Sequence, residues 1–88
     1  MRRYVGVINF TEIKQSEWEF GVYKSPKLRK LGRFLMRIIL IQAKILGAKT
    51  LICRVKKENK KAAYLYFSSG FSEYFQDNEY IFLKKTLV

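Results

Sequence analysis

Histidine is absent from this chain, and cysteine occurs once, at Cys53. Without histidine the chain lacks the commonest metal ligand and the usual general base near neutral pH. A lone thiolate cannot close a metal site, so no metal-binding residue is assigned. One cysteine also excludes an internal disulfide, and its place in the apolar run TLICRV suits a buried thiol in a reducing compartment. Proline occurs once, at Pro26, and neither a repeat nor a low-complexity linker is present, so the 88 residues read as a single domain, 1–88. No apolar run is long enough to span a bilayer, because FLMRIILIQAKILG is broken by Arg37 and Lys44. The start MRRY leads into alternating residues and not into the apolar core of a signal peptide. A cytoplasmic location with no membrane partner is the expectation.

Acidic residues are missing from one whole stretch. Between Lys24 and Lys57 there are eleven basic residues and no acidic one, while the other seven basic residues are balanced by seven acids. The net charge of +11 therefore sits in one segment, which predicts a local anionic partner: a phosphate-bearing cofactor, nucleic acid or an anionic membrane surface.

The patterning predicts a mixed α/β (α+β) domain in the order β-β-α-β-α-β-β. Tyr4 to Phe10 reads as a strand, TEIKQS as a connection into which Ile13 can extend that strand, and EWEFGVY as a second strand with Trp18, Phe20 and Val22 on one face. Pro26 opens a turn or a helix. Apolar residues at 31, 34, 35, 38, 41, 45 and 46 predict a helix with a wide buried face, stopped by Gly47. TLICRV reads as a buried strand, and Asn59 caps a second helix that runs to Gly70. Two further strands follow, around a turn near Asp77-Asn78.

Several residues carry candidate chemistry. A basic loop opening a helix is an anion site, because the first-turn amides are unpaired and the helix dipole favours negative charge. Gly32 would let a phosphate approach the backbone, or it is there for packing. The strand after this helix should run parallel to the one ending near Tyr23, and ligands of such sheets bind beyond the carboxyl ends of the strands. That places SPKLRKLG and the Asn59 helix start at one edge. Tyr66 there is either a phenol donor or a core-packing ring. Glu19 is either a base, acting directly or through water, or an ordinary sheet carboxylate.

The segment NKKAAYLYFSSGF resembles the second signature of the GNAT family of acyl-CoA N-acyltransferases, N-x-x-A-x-x-x-Y-x-x-x-G-F, with Asn59, Ala62, Tyr66, Gly70 and Phe71 in step. SPKLRKLGRFLM is similar to the family's pyrophosphate loop, with Gly32 on the last small position and Lys27 on the Gln/Arg position; Lys30 replaces the first glycine. VGVINF, FGVYKSP and GRFLM resemble the bacterial branch that acetylates the 4-amino group of a UDP-linked amino-deoxy sugar on the way to pseudaminic acid. Members are usually longer and begin with a strand, two helices and another strand. The resemblance thus implies a partial GNAT fold, the cofactor-binding half, with a bare sheet face and an edge strand that dimerisation or strand exchange would repair.

The resemblance further implies acetyl-CoA as cofactor. Gly21, Val22 and Tyr23 would polarise the thioester carbonyl. Backbone amides of Arg29, Lys30, Leu31, Gly32, Arg33 and Phe34 would hold the pyrophosphate, with Lys27, Lys30 and Arg33 adding attraction. Asn59 and Ala62 complete the cofactor contacts. Tyr66 would protonate the departing thiolate, and Glu19 or water would take the proton of the attacking amine. The acceptor would be a primary amine, for which a nucleotide-linked amino sugar is one candidate, and shortening could reduce or abolish activity. Two competing readings are a small basic nucleic-acid-binding protein and a noncatalytic assembly module.

Overall fold

The computed structural model describes residues 2–5, 8–22 and 32–88, and the backbone alone for 2–5. Six strands form one sheet in the order β1-β2-β3-β4-β6-β5: β1 (Arg2–Val5), β2 (Ile8–Lys14), β3 (Glu17–Val22), β4 (Thr50–Lys56), β5 (Ser72–Gln76) and β6 (Tyr80–Thr86). Two helices interrupt them, α1 (Gly32–Ile45) before β4 and α2 (Lys60–Ser68) after it. From β2 onward the order is the expected β-β-α-β-α-β-β.

The first strand differs from expectation. Tyr4 to Phe10 is two strands, with Val5 paired to Ile8 and Arg2 to Thr11. Folding back gives the outer edge of β2 a backbone partner, which a continuous strand would have left open. On this side the edge of the sheet is therefore Arg2–Val5, and on the other it is β5. TEIKQS is also mostly strand, because β2 runs to Lys14 and only Gln15 and Ser16 turn. Ser16 has a positive φ of 65°, and its carbonyl accepts from Lys49 N at 2.7 Å and Thr50 N at 3.1 Å, fixing the hairpin to the start of β4.

The core lies between one face of the sheet and both helices. Phe10, Trp18 and Phe20 come from the hairpin, Met36, Ile39 and Ala43 from α1, and Leu51, Cys53 and Val55 from β4. Ala63, Phe71 and Leu83 close it. The buried side of α1 is only in part the expected one: Leu35, Ile38 and Leu46 pack against the core, whereas Phe34, Ile41 and Ile45 point outward. The helix is apolar around nearly its whole circumference, so two faces satisfy the same three-and-four spacing and packing on the sheet selects one.

The opposite sheet face carries Glu17, Glu19 and Gly21 on β3, Ile52 and Arg54 on β4, and Phe82 and Lys84 on β6. Tyr74 and Phe75 stack against Phe82 there, at ring-centroid distances of 6.4 and 5.4 Å. Among the described residues no helix covers this face, as the resemblance implied.

Candidate functional site

β3 and β4 are the only parallel neighbours in the described sheet, and their pairing is short. Glu17, Trp18 and Glu19 pair with Thr50, Leu51 and Ile52, and there the ladder ends. Both strands continue: β3 stays paired to β2 as far as Val22, and β4 to β6 as far as Lys56. The result is a split whose two edges, Phe20–Val22 and Cys53–Lys56, face each other without a shared ladder. Backbone amides and carbonyls in such a split are ready partners for an extended ligand carrying amides of its own.

Tyr66 stands at the head of the split. Its ring meets Phe20, the first β3 residue past the ladder, edge to face at 5.8 Å, and Phe71 at 5.9 Å. Burial pushes the Tyr66 phenol up to about 12, and nearby Cys53, the first β4 residue past the ladder, pushes the same way. Cys53 is itself raised to about 12 by burial and then by the charge of Glu19. At neutral pH Tyr66 is therefore a protonated donor and Cys53 a thiol, not a thiolate nucleophile. The packing reading of Tyr66 holds for its ring, which lies against the core, and its hydroxyl keeps its proton.

Glu19 belongs to the last pair of the ladder, but on the uncovered face. Tyr66 and Glu19 thus flank the same split from opposite sides of the sheet. Glu17 beside it is engaged by Lys14 at 3.1 Å. Both glutamates, after burial, raise the Tyr74 phenol.

The residues of the second signature turn out to shape a helix. Asn59 Oδ1 accepts from Ala62 N at 3.3 Å, so the Asn-x-x-Ala pair is the N-cap of α2. At the other end Phe71 N donates to Tyr66 O and Gly70 N to Phe67 O, at 3.0 and 3.1 Å, with Gly70 at φ 96°. This is a Schellman stop with its accompanying apolar contact, here Phe71 against Tyr66. What the sequence did not show is the pair Phe20 and Phe71 framing Tyr66; the Gly-Phe after the helix was the available signal.

Gly32 is the first residue of α1, and a Cβ there would come within 3.0 Å of Leu65 Cδ2 on α2. Its packing role is thus direct. Arg33 and Phe34 follow on the exposed side of the first turn, which contains no acidic residue. Gly21 and Val22 line the split. A Cβ on Gly21 would lie 2.7 Å from Asn9 Oδ1 on β2. Tyr23, Lys27, Arg29, Lys30 and Leu31 lie outside the described residues.

No protein-family model matches the chain. The crystal structure of the Campylobacter jejuni N-acetyltransferase PseH superposes with a TM-score of 0.83 at 33% identity, covering 92% of this chain and 58% of that one. The same enzyme in complex with acetyl coenzyme A gives 0.79 with the same identity and coverage. In sequence the chain is 38% identical to acetyltransferase PseH of C. jejuni over 77 residues, 86% of this chain. Over that stretch the chain is homologous to this acetyltransferase and shares its GNAT fold. This GNAT homologue spans about half the length of the curated relatives it matches, 49% and 51% for two C. jejuni strains. A spermidine N-acetyltransferase from Vibrio cholerae, at 23% identity and a TM-score of 0.76, shares the fold.

Proposed function

We propose that this GNAT homologue, a single domain over residues 1–88, is the acetyl-CoA-holding part of an N-acetyltransferase acting on a primary amine. The observation that carries the reading is the split beyond the Glu19–Ile52 pair, with Tyr66 at its head. Its free edges suit an amide-bearing arm, and Gly21 and Val22 on the β3 edge would meet the thioester carbonyl. The first turn of α1, with Gly32, Arg33 and Phe34, follows the basic loop of Lys27, Arg29, Lys30 and Leu31 and would receive a pyrophosphate. Asn59 and Ala62, at the start of α2, would border the same arm. When bound, acetyl-CoA supplies an activated acyl group.

The chain's own residues then divide the work. Tyr66 offers a proton on the helix side of the split. Its phenol, near 12, is a weaker acid than an ordinary thiol by roughly three orders of magnitude, so its contribution is a hydrogen bond to the leaving sulfur more than a completed transfer. Glu19, on the other side, is where an incoming ammonium would be attracted and deprotonated, directly or through water. The uncovered sheet face with Tyr74, Phe75 and Phe82 is where the remainder of a longer enzyme or a second copy would pack. The resemblance to the 4-amino-sugar branch supports a nucleotide-linked amino sugar as acceptor.

Isothermal titration of the chain with acetyl-CoA at low and high salt tests the reading. Saturable binding that survives high salt supports it, and transfer to amino-sugar nucleotides is then the assay. Heat that vanishes with salt would sink the cofactor claim.

A further inference from the structure

The basic excess between Lys24 and Lys57 is larger than a pyrophosphate needs, and part of it lies away from the split. On α1 the outward residues form two parallel stripes. Phe34, Ile41 and Ile45 are strongly exposed, at 59%, 58% and 70%, and Ile38, partly buried against the core, lies between them at spacings of four and three. Arg33, Arg37 and Lys44 run beside them, all exposed. The neighbouring α2 turns Tyr64 and Phe67 outward, at 70% and 45%, together with Lys60 and Lys61. Neither helix contains an acidic residue, and the nearest acid in sequence is Glu58 in the turn before α2.

Both helices cover the same sheet face and meet where Gly32 faces Leu65, so these residues belong to one outer surface. It is both apolar and cationic, and its occupant must be apolar and anionic. Nucleic acid satisfies the charge but gives Ile41 and Ile45 nothing to bury against. A second copy of the chain would set five cations against five. We infer that the outer surface of the helix layer docks on an anionic phospholipid surface, with the isoleucine stripe in the headgroup boundary and the cations on the phosphates. The expectation of no membrane partner rested on the lack of a spanning run; peripheral docking needs no such run.

The test is co-sedimentation of the full chain with phosphatidylcholine vesicles, with and without phosphatidylglycerol. Binding only to the anionic vesicles is expected, falling at least about tenfold in Ile41→Ser/Ile45→Ser and in Arg37→Glu/Lys44→Glu. The matched control is Arg54→Glu/Lys84→Glu, which makes the same charge change on the opposite sheet face and should retain binding. All three pairs replace exposed side chains, and circular dichroism checks that each folds. The proposal is overturned if the wild-type chain ignores anionic vesicles, or if the control loses binding as much as the helix variants do. It is equally overturned if sedimentation velocity shows an oligomer that Ile41→Ser/Ile45→Ser converts to monomer.

Discussion

Tyr66 and Phe71 are tied twice across the end of the second helix: their rings sit 5.9 Å apart, and the Phe71 amide donates to the Tyr66 carbonyl at 3.0 Å. The helix stop and the placement of the candidate acid are therefore one structure. Gly70 lies between them at φ 96°, the backbone conformation that makes the double tie possible.

Replacing Gly70 with alanine puts a side chain into left-handed backbone at a cost of about 1–2 kcal/mol. For a domain of this size that lowers the melting temperature by roughly 4–16 °C. Thermal unfolding followed by circular dichroism reads it, and an unchanged midpoint would contradict the strain argument.

Tyr66→Phe keeps the ring against Phe20 and Phe71 and removes only the hydroxyl. Stability should stay within about 0.5 kcal/mol of wild type. Acetyl transfer should fall roughly a hundredfold while acetyl-CoA affinity is unchanged. Loss of affinity with no change in the rate of transfer would assign Tyr66 to binding.

Alkaline pH should destabilise the fold through two groups. Cys53 rises from 9.0 to about 12 and Tyr66 from 10.0 to about 12, so each holds its proton more tightly in the folded chain than in the unfolded one. The stabilisation is complete below pH 9 and is lost progressively as pH climbs through 9–12, because the unfolded chain releases these protons first. Urea midpoints across that range measure the slope, and Cys53→Ala should flatten its lower part.

Gly21→Ala should cost about 1 kcal/mol by forcing Asn9 aside, since the added carbon would lie 2.7 Å from Asn9 Oδ1. Shortening Asn9 to alanine in the same chain should recover part of that loss. A double-mutant cycle with a coupling above about 0.5 kcal/mol is the expected result, and strict additivity would refute the contact.

The frame of the candidate site was readable before folding because the second signature is built from residues with local jobs. Asn59 and Gly70 are type-specific at helix ends, and the Gly47 stop was legible for the same reason, with Ala48 N bonded back to Ala43 O at 2.9 Å. Glu19 was placed on the right face of β3, since alternation in EWEFGVY fixes it. The division of Tyr4–Phe10 into two strands was not legible, because β1 exists to cover an edge and nothing local demands it.

By itself the sequence determined both helices, the strands from β3 onward and the concentration of positive charge, because caps, alternation and composition act over a few residues. Tertiary structure decided which side of α1 is core. Met36, Ile39 and Ala43 are buried while Phe34, Ile41 and Ile45 are not, although both sets are apolar and helically spaced. It also decided where β3 and β4 part, and so where Tyr66 and Glu19 stand relative to one another. Those outcomes depend on contacts between segments far apart in the chain, and only the packed sheet selects among them.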